Sequence, residues 1–195
     1  MRSKIRFCLL ICFIILLSPV VLCISLGTWA KMDFFPAWSQ ILSLIPGALG
    51  VLARRSFYYV FLSDCSGDVG IEFGTVFSKK NVKIAPKVSI GEYCIIGMCE
   101  IGEGTLLGSH INILSGRHQH GSGNSIDQLK TEQAKFTSVS IGKNCWIGNG
   151  AIVMNDIGDN CIIGAGSVVV KPIPLDSVAV GNPAVVKKTV TSSHG

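Results

Sequence analysis

Aliphatic residues recur at six-residue steps along most of the chain: Ile84, Ile90 and Ile96, then Ile101, Leu107 and Ile113. The series resumes at Ile141, Ile147 and Val153, and again at Ile157, Ile163 and Val169. A glycine directly follows many of them: Gly91, Gly97, Gly102, Gly108, Gly142, Gly148, Gly158 and Gly164. Four residues after an aliphatic position stand small side chains: Val88, Cys94, Thr105, Cys145, Ala151, Cys161 and Ser167. A helix repeats near 3.6 residues and a strand at two, so neither alone produces this pattern. A triangular coil with six residues to each side does. Its aliphatic residue points inward, its glycine permits a tight corner, and its small residue fits beside the turn. Each coil has a face it cannot bury alone, so stacking supplies the core. Ile71, Gly74, Thr75 and Phe77 read as a degenerate first coil.

Three departures from the period are informative. Ile96 to Ile101 is five residues and Val153 to Ile157 is four. Each slip has to be absorbed at a corner, or inward and outward residues would exchange places. The largest interruption, from His118 to Ser138, predicts a loop extruded over residues 119–138. A long loop leaving a regular coil is usually functional.

The N-terminal third has a different texture. From Phe7 to Gly27 there are 21 residues without a charge, behind Arg2, Lys4 and Arg6. As a helix, that length matches a hydrocarbon core of roughly 30 Å. It exceeds the roughly 7–15 residues of a secretory signal core, so it reads as a retained membrane helix. A second apolar stretch, Ala37 to Ala53, contains Gln40, Pro46, Gly47 and Gly50 and ends at Arg54-Arg55. It is expected to cross, re-enter or lie on the membrane. Positive charge favours the cytoplasmic side. A hairpin of the two segments would put both basic clusters, and the body, in the cytoplasm. The expected organisation is therefore 1–62 as membrane-anchoring segments, 63–188 as the coil domain and 189–195 as a tail.

Composition supports that division. Only 15% of the 195 residues are charged and mean hydropathy is +0.50, which excludes a disordered chain and a nucleic-acid-binding tail. Residues 1–62 hold six basic groups and one acidic group, and so carry the whole net charge of +5. The eight cysteines include no C-x-x-C pair, which argues against a structural zinc site. Cys94, Cys145 and Cys161 occupy the small slot of the repeat and Cys99 lies two before Ile101, as buried apolar groups. All eight are expected to be reduced, as in a cytoplasmic body.

Three of the four histidines cluster: His110, His118 and His120. His118 falls five residues after Ile113, where the coil opens into the loop, and is the candidate for chemistry. His120 is a weaker candidate. His110, two positions after Gly108, reads as a surface or supporting residue.

The segments Ile113–His118, Ile141–Ala151, Ile163–Val169, Lys171–Pro174 and Val180–Ala184, in this order around an extruded loop, resemble the maltose/galactoside O-acetyltransferase branch of the hexapeptide-repeat acyltransferases. They are also similar to acetyltransferases of surface-polysaccharide biosynthesis. The resemblance covers about residues 63–188. It implies an all-β fold, a left-handed parallel β-helix, and a homotrimer with active sites between subunits. It also implies acetyl-CoA as donor, with no metal, and a sugar or polysaccharide precursor as acceptor. By the same resemblance, His118 is the general base and Trp146, Asn149, Ala165 and Lys171 line the acetyl-CoA groove. His120 would touch the acceptor. The family's acceptor residues upstream of His118 find no match here.

The residues suit that chemistry. A sugar hydroxyl is a weak nucleophile at neutral pH, and a neutral imidazole that removes its proton contributes about 10²–10⁴-fold. A backbone N–H at a coil corner can hold the oxyanion. Two other readings stand beside this one. A γ-carbonic-anhydrase-like zinc enzyme would recruit His110, His118 and His120, although their spacing does not match that family. A non-catalytic scaffold is the other, because fold alone does not establish function.

Overall fold

The structure is a computed structural model in which residues 34–115 and 137–189 are described. The hexad pattern folds into a parallel β-solenoid of about five turns. Its three faces come from the three aliphatic positions of each turn. Face A stacks Asp64–Cys65, Val82–Ile84, Cys99–Ile101 and Val139–Ile141, and single bridges at Ile157 and Ile173 continue it. Face B stacks Gly70–Ile71, Ser89–Ile90, Leu106–Leu107, Trp146–Ile147, Ile162–Ile163 and Ser177–Val180. Face C stacks Val76–Phe77, Ile95–Ile96, Asn112–Ile113, Ile152–Val153 and Val168–Val169. Every pairing is parallel except that of Val185–Thr189, which lies antiparallel on Ser177–Val180. Register keeps like over like: Ile90 pairs Leu107, Leu107 pairs Ile147, and Ile147 pairs Ile163, all at 4% exposure or less.

The corner glycine has a different cause from the one its position suggests. None of Gly91, Gly97, Gly102, Gly108, Gly142, Gly148, Gly158 and Gly164 adopts a positive φ. What they allow is close stacking: a Cβ on Gly102 would stand 2.6 Å from the carbonyl carbon of Gly142 and the nitrogen of Lys143. The left-handed residue comes two positions later, at Lys87, Gly104, Asn144, Asn160 and Asp176 between faces A and B. Between faces B and C it is Gly74, Tyr93, His110, Gly150 and Gly166.

The small slot is more than apolar filling. Thr75 Oγ1 donates to the Gly91 carbonyl and Thr105 Oγ1 to that of Gly142, both at 2.7 Å. The thiols of Cys94, Cys145 and Cys161 do the same across 3.2, 3.1 and 3.0 Å to Gly108, Gly158 and Pro174. Burial raises all three thiols, Cys145 to about 11, so they remain neutral donors. Cys65, Cys94, Cys99, Cys145 and Cys161 are all free and buried.

All the irregularities fall at one edge, between faces C and A. The short steps Ile96–Ile101 and Val153–Ile157 both turn there. Asn155 and Asp156 hold the second: Asn155 Nδ2 donates to the Val170 carbonyl, and Asp156 accepts from the Ser140 N–H at 2.8 Å. The chain also leaves the coil at this edge after Ser115 and re-enters at Thr137, whose N–H donates to the Ser115 carbonyl at 3.1 Å. Concentrating every change of length at one edge leaves the other two in constant register.

The second apolar stretch does not form a membrane-crossing helix. Residues 35–61 form α1 (Phe35–Ser43) and α2 (Gly47–Phe61), which pack on the first coil. Phe35, Phe57 and Tyr58 join Phe77 in one aromatic cluster, with Tyr58 and Phe77 centroids 4.3 Å apart. Arg54 is fully buried and donates to the carbonyls of Leu42, Ser43, Ile45 and Ile71. It neutralises the C-terminal end of α1 and ties it to the coil. Arg55 donates to the Val69 carbonyl at 2.6 Å. The arginine pair that suggested a cytoplasmic membrane border is thus occupied by protein carbonyls. Hydropathy counts apolar residues without knowing whether lipid or protein covers them. Among the described residues no helix is long and apolar enough to cross a membrane, and Phe7–Gly27 lies outside them.

Candidate active site

The three faces differ outward. Face A shows Asp64, Lys83, Glu100 and Ser140, and Lys83 pairs with Glu100 at 2.7 Å. Face B shows Leu106 and Trp146, more than half exposed, and face C shows Ile95. Such apolar flanks on two faces, beside a third that is charged, are a directional surface.

Trp146 stands on face B between Leu106 and Ile162. Three residues on, Asn149 occupies the B–C edge, where its Oδ1 accepts from the Ser109 N–H at 3.0 Å. Ala165 is its counterpart one coil higher: the Gly166 N–H donates to the Asn149 carbonyl at 2.8 Å. Asn149 and Ala165 are both exposed, with Gly150 and Gly166 beside them. Among the described residues, a Cβ at Gly166 would meet nothing within 4 Å, and one at Gly150 would meet only the Gly166 nitrogen, at 4.0 Å. The result is a strip of edge bare of side chains at Gly150 and Gly166, running along the solenoid axis past Asn149 and Ala165.

Lys171 does not join them. It follows Val168–Val169 and lies exposed on the C–A edge, the edge at which Ser115 and Thr137 root the excursion. His118 and His120 belong to that excursion and lie outside the described residues. One chain therefore carries two groups of candidate residues on different edges: Trp146, Asn149 and Ala165 on one side, and Lys171 with the root of the histidine segment on the other. Among the described residues no group of three His, Cys, Asp or Glu side chains could hold a metal.

Below Gly150, on the same B–C edge, lies a group that motif matching passed over. The Tyr93 ring stacks on the His110 imidazole with centroids 5.3 Å apart and planes 10° from parallel. Phe73 meets Tyr93 edge-on at 5.6 Å. Tyr93 and His110 both hold positive φ, 55° and 59°, in a column where glycine or asparagine fits best. Aromatic residues at the third place after Ile90 and Leu107 were the available signal.

The comparisons agree with this architecture. Residues 138–171 match the family model described as bacterial transferase hexapeptide (six repeats). Nodulation protein L of Rhizobium leguminosarum bv. viciae is 42% identical over 112 residues, covering 55% of this chain and 57% of that protein. Among solved structures, a maltose O-acetyltransferase from Clostridium difficile 630 superposes with a TM-score of 0.64 at 25% identity, over 81% of this chain and 87% of that one. A hexapeptide-repeat acetyltransferase from Vibrio cholerae shares the fold, with a TM-score of 0.63 at 15% identity over 81% and 92% of the two chains. So does an N-acyltransferase from Bacillus cereus in complex with dTDP and 3-hydroxybutyryl-CoA, with a TM-score of 0.52 at 20% identity over 64% and 70%.

Proposed function

We propose, from the premise that the chain carries the bacterial transferase hexapeptide repeat, that it is an O-acetyltransferase moving an acetyl group from acetyl-CoA to a sugar hydroxyl in surface-polysaccharide biosynthesis. The observation that carries this reading is the strip of edge left bare of side chains at Gly150 and Gly166. A pantetheine arm is long, thin and flanked by amide groups, and it needs a straight groove with backbone polar groups at its wall. Asn149 and Ala165 would face the arm, with Trp146 beside the acyl end. The winding would be left-handed, as in the resembling family.

The separation of the two edges supports a homotrimer. A closed ring would bring the C–A edge of one copy, with Lys171 and the histidine segment, against the B–C edge of its neighbour. The apolar outer surfaces of faces B and C are suited to that contact. Lys171 would then meet the donor's phosphates from the adjacent subunit. Phe7–Gly27 would anchor the assembly, with its body in the cytoplasm where acetyl-CoA is available.

In the reaction, neutral His118 takes the proton of the acceptor hydroxyl as its oxygen attacks the thioester carbonyl. The tetrahedral oxyanion collapses, the carbon–sulfur bond breaks, and the departing thiolate of CoA recovers the proton from the imidazolium. In this direct transfer no covalent enzyme intermediate forms. Thiol release from acetyl-CoA in the presence of methyl glycosides tests the activity. His118→Ala should lower kcat by about 10²–10⁴-fold with little change in donor KM. Near-normal turnover in that variant would remove His118 as the base. A sedimentation mass of one chain for fully active protein would remove the trimer.

A further inference from the structure

The aromatic ladder on the B–C edge has an incomplete top. The Tyr93 ring lies over Gly74: a Cβ built there would collide with the tyrosine ring. His110 in turn stacks on Tyr93. In this register each ring leans toward the coil below it, so a fourth ring, on residue 150, would lie over His110. The chain has Gly150 there, and among the described residues a Cβ built on it would meet only the Gly166 nitrogen, at 4.0 Å. One face of the exposed imidazole is therefore covered by Tyr93. The other looks into a slot bounded by Gly150 and by Asn149, whose Oδ1 is drawn toward Ser109 next to His110.

The position of the slot along the axis says what it would hold. This step rests on the donor reading above. Lys171, the candidate for the phosphates, lies toward the C-terminal coils, so the acyl end of the donor points toward the N-terminal ones. His110 sits on the coil spanning Cys99–Ile113, the coil from whose end the histidine segment departs. Whatever lies just beyond the acyl end at this level is the acceptor.

We infer that Phe73, Tyr93 and His110 form the platform on which the pyranose ring of the acceptor lies, with the ring in the slot left by Gly150. A pyranose offers a flat face of C–H groups and a rim of hydroxyls. Flat aromatic rings cover the first at little conformational cost, and the imidazole edge and Asn149 can meet the second. Tyr93 and His110 are then specificity-determining residues. Their rings occupy left-handed positions where small residues would cost less, which a solvent-exposed decoration would not require.

The test uses substitutions that keep the backbone. Tyr93→Asn and His110→Asn remove the rings while suiting a positive φ, as Asn144 and Asn160 do on the neighbouring edge. Acetyl transfer is followed from acetyl-CoA to the methyl glycosides of glucose, galactose and N-acetylglucosamine. Both variants should raise acceptor KM at least tenfold, with donor KM and the melting temperature nearly unchanged. His110→Tyr, which restores a ring, should hold acceptor KM within about threefold of the parent. Acceptor KM unmoved in both asparagine variants, or donor KM raised equally, overturns the platform and leaves the acetyltransferase reading intact. No transfer by the unaltered protein to any of the three glycosides overturns that reading, and the platform with it.

Discussion

The A–B and B–C edges are built by the same rule and finished in opposite ways. At both, a glycine lets the next coil approach, a left-handed residue follows two places on, and in several coils a threonine or cysteine donor closes the turn. At the A–B edge the left-handed places of the upper coils hold Asn144, Asn160 and Asp176. These bond upward as a ladder, with Asn160 Nδ2 donating to Asp176 at 2.8 Å and Asn144 Nδ2 to Asn160 at 3.5 Å. At the B–C edge the matching places are Gly150 and Gly166, which make no side-chain bond and carry a larger entropic cost. Asparagine works one edge away, so the fold itself does not demand glycine. The bare edge exchanges a little stability for room, and room along one edge is what an extended ligand needs.

The shared rule should give the largest effect when broken. Gly102→Ala on the A–B edge and Gly148→Ala on the B–C edge both push a Cβ into the backbone of the next coil. Each should cost about 1–3 kcal/mol in urea unfolding, as overpacking typically does. A large loss at one edge and none at the other would mean that stacking does not govern both.

Exchanging the two finishes comes next. Gly166→Asn, at φ +68° with open space around it, should fold normally and raise the acetyl-CoA KM about tenfold by placing a side chain on the bare edge. Asn160→Gly should do the reverse, losing about 1 kcal/mol of stability through the ladder bond and chain entropy, with unchanged kinetics. Should Asn160→Gly alter donor KM while Gly166→Asn does not, the ligand edge has been assigned to the wrong corner.

The smallest effect concerns the buried thiols, which lie in the strands of face A and at the A–B and B–C edges. Burial pushes Cys65 and Cys99 up to about 12, and Cys145 to about 11. Because these values lie above those of the unfolded chain, the thiols favour the folded state most below pH about 9. That contribution fades as pH rises toward the folded values. Maleimide mapped by mass spectrometry at pH 7.5 should leave these three unlabelled until denaturant is added, and the melting temperature should begin to fall above pH about 9. Rapid labelling of Cys145 in the native protein would show that the coil opens locally.

The hexad pattern made the core readable in advance. Ile84, Ile90, Ile96 and their counterparts point inward as expected, and the five-residue and four-residue steps turn at a corner. The site was legible only in part. Asn149 and Ala165 come together on one edge, but Lys171 stands on another, because neighbours in a motif turn with the coil and neighbours in space do not. Phe73, Tyr93 and His110, at successive corners, gave no sequence motif at all.

What the sequence by itself determined is the inward column, because a side chain's direction follows from its place in a repeat of six, and that is local information. Which face of the coil is charged follows in the same way. The tertiary structure alone decided how things meet between coils and across the cap. It showed that the corner glycines answer to the coil above, that Arg54 answers carbonyls from α1 and from Ile71, and that one edge is left bare. Those contacts join residues many positions apart, and only stacking, whose geometry is common to all coils at once, sets their distances.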